Sequence, residues 1–187
     1  MEKQTYELLR ELEKTLKLFR KGEAMPLREH SNALMKRAVL LNSGPMAQVS
    51  IVAYVLHKLL TKEHIVRHER WKQNKASLSD SMQTAISVLE GGNVAEFTRS
   101  MASFARHIKK IDGFFSRFMQ GLMEKARVKC ASDAYFFGMS LSSAAELAGA
   151  DKKRLQEFIG ATGVHDKERS KKGIAERLNS LKAAIAA

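Results

Sequence analysis

Apolar residues recur along most of this chain in steps of three and four, the spacing that places them on one face of an α-helix. In residues 2–21 such a face is built from leucine and phenylalanine, and charged residues fill the other positions. Similar faces occur in residues 27–41, 45–60 and 77–89. No stretch alternates with the period of two that a half-buried strand requires. The pattern therefore predicts an all-α protein, a helical bundle with essentially no sheet.

Residues that suit helix ends separate these segments. Ser43 is a good N-cap for the third helix, whose first turn tolerates Pro45. That helix is apolar around most of its circumference, so we expect it to lie at the centre of a core. Gly91 and Gly92 suit a left-handed C-terminal cap. Residues 64–75 are dense in charge, and the pattern assigns no element to them.

The most regular pattern follows Asn93 and Glu96, which have the spacing of a capping box. It predicts one long helix of about eight turns with an apolar seam. The seam consists of Val94, Phe97, Met101, Phe104, Ile108, Ile111, Phe115, Phe118 and Leu122. We interpret its phenylalanines, including Phe104 and Phe115, as core residues and not as ligand contacts. The other faces are basic, with Arg99, Arg106, Lys109, Lys110, Arg117, Lys125, Arg127 and Lys129.

Residues 140–163 have the features of a helix-turn-helix. Ala145 is small enough to lie where two helices cross, and Gly149 tolerates the left-handed backbone of a tight turn. Asp151 can cap the second helix. Apolar residues that would join the two helices are Leu141, Ala144, Ala148, Leu155, Phe158 and Ile159.

This segment resembles the short helix-turn-helix of small prokaryotic antitoxin-type regulators. The likeness lies in residues 141–149, Leu-Ser-Ser-Ala-Ala-Glu-Leu-Ala-Gly, followed by Leu-Gln-Glu-Phe at 155–158. It covers about 25 of the 187 residues. The resemblance implies DNA binding, with autoregulation and a protein partner as further expectations. The chain departs from the family at Lys152 and Lys153, where Ser or Thr and an aromatic residue are usual.

If the second helix enters a major groove, its exposed positions meet bases and phosphates. The candidate nucleic-acid-binding residues are Ser142, Ser143, Lys152, Lys153, Arg154 and Gln156. The serines stand at the positive N-terminus of the first helix, which attracts phosphate. Gln156 can pair with adenine. A second candidate basic surface on the long helix consists of Arg106, Lys109, Lys110 and Arg117.

Composition favours a polyanionic partner. The chain has 32 Lys and Arg against 20 Asp and Glu, a net charge of +12. The single cysteine, Cys130, excludes an intramolecular disulfide and a thiolate metal cluster, which suits a reducing compartment. The N-terminal residues lack a signal-peptide pattern, and residues 49–60 are too short a run for a membrane span. We therefore expect a cytoplasmic protein without a membrane partner.

No arrangement of residues predicts catalysis. The chain has no glycine-rich phosphate loop and no Cys-His pair at a typical spacing. His64 and His68 have a spacing that occurs in metal sites, but Arg67 and Arg70 beside them would repel a cation. The expectation is a protein that is not an enzyme and that has no cofactor, no metal and no catalytic residue.

The sequence thus leads to one favoured hypothesis and two alternatives. We expect a DNA-binding transcriptional regulator, with duplex DNA preferred over RNA. Residues 1–135 would form a helical domain for dimerisation or partner binding, and residues 136–187 the helix-turn-helix plus a final helix at 167–186. One alternative is an RNA- or ribosome-associated basic protein. The other is a protein-interaction module of the toxin-neutralising kind, with DNA binding secondary. A homodimer is the oligomer we consider for the DNA-binding hypothesis.

Overall fold

Helices account for all the regular structure in the part of the chain that can be described. The computed structural model describes residues 3–114 and 121–162. Across these two ranges no strand occurs, which confirms the all-α bundle. The helices are α1 (Lys3–Lys21), α2 (Ala24–Leu41), α3 (Gly44–Leu60), α4 (Glu63–Val66), α5 (Trp71–Glu90), α6 (Val94–Phe114), α7 (Leu122–Phe136), α8 (Leu141–Ala148) and α9 (Lys152–Thr162).

Helix α3 is the centre of the core, as its composition predicts. Ser43 caps it by accepting a hydrogen bond from the backbone N–H of Met46, and Pro45 lies in the first turn. Helices α1, α2, α6, α7 and α8 all pack against it. Its apolar side chains are buried around nearly the whole circumference: Val49, Ile51, Val52, Ala53, Val55, Leu56 and Leu59. Burial of this extent is the main source of stabilisation for such a helix.

Two buried serines fix the register of α2 against α3. Ser31 Oγ donates to the carbonyl of Ser50, and Ser50 Oγ donates to the carbonyl of Ser31, each at 2.8 Å. The exchange satisfies both hydroxyls where no water reaches. Cys130 of α7 lies against this pair, and burial raises the pKa of its thiol to about 12. Cys130 is a small buried residue where α7 packs against α2 and α3.

Helix α5 begins six residues earlier than the pattern predicts, at Trp71 instead of Ser77. The indole of Trp71 packs edge-on against Phe19 of α1, with 6.2 Å between ring centroids, and is only 9% exposed. This aromatic contact anchors the first turns of α5 against α1, although their sequence is mostly polar. A contact between distant parts of the chain is not visible in local periodicity.

The prediction of one continuous helix through Leu122 is wrong. Helix α6 is described as far as Phe114, and a separate helix, α7, begins at Leu122. Gly121 has a φ of +76°, which a right-handed helix cannot accommodate. The described part of the seam is buried from Phe97 to Ile111, and Phe104 is fully buried, as expected of a core residue. Phe115 and Phe118 lie outside the described residues.

The cap between α5 and α6 follows the sequence closely. Gly92 takes the left-handed conformation with a φ of +79°. Asn93 Oδ1 accepts a hydrogen bond at 2.9 Å from the backbone N–H of Glu96, and the two side chains are joined at 3.0 Å. None of the described helices has the length and apolar character needed to cross a membrane.

The apolar core continues from the N-terminal helices into α8 and α9. Ala144, Ala145, Ala148 and Leu155 belong to the same buried cluster as the residues of α3. Helix α8 packs against α7 and α3, and α9 packs against α7 and α8. The division into domains at residue 135 stays a prediction, and the helix expected at 167–186 lies outside the described residues.

Candidate nucleic-acid interface

A short turn joins α8 to α9 with the caps expected from the sequence. Gly149 has a φ of +59° and ends α8 in the left-handed conformation. Asp151 Oδ1 then accepts a hydrogen bond at 2.8 Å from the backbone N–H of Arg154, which caps the first turn of α9. These two residues set where the second helix starts. They therefore set which of its side chains face outward.

Small residues allow α8 to lie close to its neighbours. Ala144, Ala145 and Ala148 are all at most 4% exposed, and together they form the inner face of α8. Leu155 of α9 is fully buried, while Phe158 and Ile159 are partly buried against the same core. The apolar residues expected to join the two helices thus occupy their inner faces.

Burial of Leu155 turns the polar side chains of α9 toward solvent. Lys152, Lys153 and Gln156 are exposed. Arg154 is also exposed, but its Nη1 atom lies 3.9 Å from Glu124 Oε1 of α7. A pair at this distance on the surface is weak. The four candidate residues of α9 therefore share one accessible region, in which Arg154 is held near α7.

The N-terminus of α8 is already capped by its own side chain. Ser140 Oγ accepts a hydrogen bond from the backbone N–H of Ser143 at 3.1 Å and donates to Ser143 Oγ at 2.9 Å. Ser142 and Ser143 are both exposed. Because the cap uses the amide of Ser143, a phosphate at this end would be met by the earlier amides of Leu141 and Ser142.

The charge of the α8–α9 unit is balanced. Between residues 140 and 162 the cations are Lys152, Lys153 and Arg154, and the acids are Glu146, Asp151 and Glu157. The unit therefore has no net charge, and the excess of +12 belongs to the rest of the chain. Affinity of α9 for phosphate therefore depends on direct contacts of Lys152 and Lys153, because the unit has no net positive charge to attract a polyanion.

Helix α6 carries the second candidate surface. Arg106, Lys109 and Lys110 are exposed on the face opposite the buried Phe104 and Ile108. Their spacing of three and four residues places them in one stripe along the helix. Arg117, the fourth member expected there, lies outside the described residues.

The histidines do not form a metal site in the described ranges. Residues 3–114 and 121–162 contain no group of three His, Cys, Asp or Glu side chains that could hold a metal ion. His68 Nδ1 accepts a hydrogen bond at 3.2 Å from the backbone N–H of Arg70. His68 therefore takes part in the turn that leads into α5.

A Ser-His contact that the sequence does not predict joins α5 to α6. Ser81 Oγ lies 2.7 Å from His107 Nδ1 and 2.9 Å from the carbonyl oxygen of Ser77. The tautomer of His107 decides which of the two side chains donates, because the hydroxyl of Ser81 has one proton for two acceptors. In either direction the hydrogen bond joins α5 to α6.

A buried carboxylate forms a second group that sequence reasoning missed. Glu11 of α1, with a side chain 8% exposed, accepts hydrogen bonds from Arg37 of α2 at 2.7 Å and from Arg10 at 3.0 Å. Arg37 also binds Glu7 at 3.0 Å. Burial alone would raise the pKa of Glu11, but the hydrogen bonds from Arg10 and Arg37 outweigh it and lower that pKa. No spacing within one helix indicates a group of this kind, because it depends on the register between α1 and α2.

Comparison with known proteins adds no further evidence. No family model, no curated protein and no solved structure matches this chain. A proposal about function therefore rests on the side chains themselves.

Proposed function

We propose that this protein is a DNA-binding regulator that reads duplex DNA with α9. The observation that carries the proposal is the position of Leu155, fully buried, with Lys152, Lys153 and Gln156 exposed on the other side of the same two turns. A helix held in this way presents a short polar face, as a recognition helix does in a major groove. The resemblance of residues 140–163 to antitoxin-type regulators supports the same function, with a protein partner as part of the proposal.

Each exposed residue has a distinct task in this proposal. Lys152 and Lys153 bind phosphates and hold the helix in position, while Gln156 pairs with an adenine edge. Arg154 leaves its weak contact with Glu124 when a phosphate is near, because a surface ion pair contributes at most about 1 kcal/mol. The acids Asp151 and Glu157 limit affinity for DNA of arbitrary sequence.

The test is a pair of variants measured on a duplex selected from a random pool. Lys153→Ala is expected to weaken binding to all sequences similarly and to lower the slope of log K against log salt by about 0.9. Gln156→Ala is expected to cost about 1–3 kcal/mol at one base pair and little elsewhere. Lys36→Ala, which removes an exposed lysine on α2, is the matched control. Normal binding by both α9 variants would exclude groove reading by this helix.

The stripe on α6 favours one alternative, an RNA- or ribosome-associated protein. Arg106, Lys109 and Lys110 are exposed together, and no acidic residue lies between positions 97 and 111. RNA bound through its phosphates would need only such a surface. If Lys109→Ala with Lys110→Ala abolishes binding, if the α9 variants bind normally, and if RNA is preferred over duplex DNA, this alternative replaces the first proposal.

A further inference from the structure

Cations from three helices lie near Lys58 of α3, whose ammonium group stands over the ring of Tyr54. The Tyr54 cluster, as we name it, consists of Arg28, Tyr54, Lys58, Lys62 and Lys129. Its members come from α2, from α3 and the turn after it, and from α7. They are far apart in the sequence, so no local pattern predicts the group.

The packing of α2 on α3 explains why Arg28 reaches this point. His57 Nδ1 donates to the carbonyl of Ala24 at 2.8 Å. About two turns away along the same pair of helices, Ser31 and Ser50 exchange their hydrogen bonds. The two contacts define an antiparallel pair, in which Arg28 lies level with Tyr54. Helix α7 packs against both α2 and α3 and brings Lys129 to the same place.

Lys58 is the member of the cluster that contacts the ring of Tyr54. Its Nζ atom lies 5.5 Å from the centroid of the Tyr54 ring. Burial lowers the pKa of Lys58, and the charges of Arg28, Lys62 and Lys129 lower it further. One carboxylate, Asp133, is near, and it forms a salt bridge with Lys129. The cluster therefore has more positive than negative charge, and its cations repel one another.

A bound anion would relieve the mutual repulsion of these cations. Neighbouring like charges in a partly buried place disfavour the folded state, whereas a bound phosphate would turn the same charges into favourable contacts. The ring of Tyr54 attracts the ammonium group of Lys58 and orients it before a ligand binds.

The distribution of the cluster over three helices favours an extended anion. Its cations come from α2, from α3 and the turn after it, and from α7. A chain of phosphates can contact several such cations at once, and it gains affinity from the release of counterions.

We propose that the Tyr54 cluster binds the phosphodiester backbone of a nucleic acid. The inference shares with the proposed function that the ligand is a nucleic acid, but it assigns a different surface. Lys129 of the cluster and Glu124, which contacts Arg154 of α9, are separated by about 140° around the axis of α7. The cluster therefore binds a stretch of backbone away from the one that α9 meets.

The test compares two double variants that remove the same charge. Lys58→Gln with Lys62→Gln alters the cluster, and Lys36→Gln with Lys72→Gln removes two exposed lysines from α2 and α5. Glutamine at position 58 keeps part of the aliphatic stem over Tyr54. Binding of a mixed-sequence DNA duplex and of a single-stranded RNA of the same length is measured between about 50 and 200 mM salt. Thermal unfolding of each variant is followed in phosphate-free buffer.

We expect the cluster variant to lower the salt slope by about 1.8 with the DNA duplex or by about 1.4 with the single-stranded RNA, and the control variant to leave both slopes unchanged. We also expect the cluster variant to melt no lower than the unaltered protein, because it removes repulsion. Equal slopes for the two double variants would overturn the inference, and so would a cluster variant that binds normally. Loss of binding in the α9 variants alone would support the proposed function and reject the cluster. Loss of binding in the cluster variant alone would support the cluster as the nucleic-acid-binding surface and reject the proposed function of α9.

Discussion

The side chain of Asp112 accepts a hydrogen bond at 2.9 Å from the backbone N–H of Leu122, ten residues further along the chain. Asp112 belongs to α6, and Leu122 is the first residue of α7. The residue before α7, Gly121, has no side chain with which to cap the helix. Asp112 therefore supplies the cap from a neighbouring helix and connects the end of α6 to the start of α7.

Replacement of Asp112 is expected to weaken this connection. Asp112→Ala should lower the free energy of unfolding by about 1 kcal/mol, the typical cost of a lost N-terminal cap. Asp112→Asn should retain most of it, because an amide oxygen also accepts and because burial raises the pKa of Asp112 and disfavours its charge. Urea denaturation gives the values, with the exposed Asp80→Ala as control. Equal losses for Asn and Ala at position 112 would show that charge, not capping, matters.

The aromatic seam of α6 gives a second prediction. Phe104 is fully buried, so Phe104→Ala should lower the free energy of unfolding by about 3–5 kcal/mol. Phe136, which is 47% exposed at the end of α7, is the matched control, and its replacement by Ala should cost much less. A Phe104→Ala protein with unchanged stability and lost ligand binding would mean that the seam is a functional site.

The helices themselves were largely predictable because burial of one face imposes a periodicity that the sequence retains. Helix α3 and the cap at Asn93 appear where their residues predict them. The break before Leu122 was not predictable in this way. Leu122 is buried in a new helix and keeps the spacing of the old seam, so the apolar pattern alone cannot distinguish the two cases. Gly121 was the local signal, but its φ becomes evident only in the structure.

The candidate site also has parts that the sequence predicts and parts that it does not. Exposure of Lys152, Lys153 and Gln156 follows from a turn and a buried leucine, which are local features. The groups around Glu11 and Tyr54 depend on how separate helices are aligned. The sequence does not reveal how these helices are positioned against one another. It shows only charged residues on helix surfaces, where most charged residues are solvated.

The pairing of Glu11 with Arg37 gives a third prediction. Arg37→Ala removes two ion pairs and leaves the Glu11 carboxylate buried with less compensation, so we expect a loss of about 1–3 kcal/mol. The double variant Glu11→Gln with Arg37→Ala should recover part of that loss, because it also removes the charge. A double-mutant cycle by urea denaturation measures the coupling. Additive losses would mean that the two side chains do not stabilise each other.

Two buried histidines lead to the last prediction, which concerns pH. His30 Nε2 lies 3.3 Å from the carbonyl of Glu11, and His57 Nδ1 lies 2.8 Å from the carbonyl of Ala24. Burial lowers the pKa of both imidazoles below the ordinary 6.5, and it outweighs the hydrogen bonds to these carbonyls. Lys14 and Arg37 at His30, and Lys58 and Arg28 at His57, act in the same direction. The Glu11 carboxylate, 3.8 Å from His30 Nε2, acts in the opposite direction without reversing the shift.

The unfolded chain therefore binds more protons than the folded one below pH 6.5, and the free energy of unfolding should fall as the pH is lowered through that value. Each histidine contributes a slope of at most about 1.4 kcal/mol per pH unit. His30→Gln and His57→Asn place an amide nitrogen near the donor atom of each ring, so the double variant should fold while losing this slope below about pH 6.5. The exposed His64→Asn should keep the slope. Urea denaturation across this range decides the matter, since a double variant with the original slope would place the pH dependence in other groups.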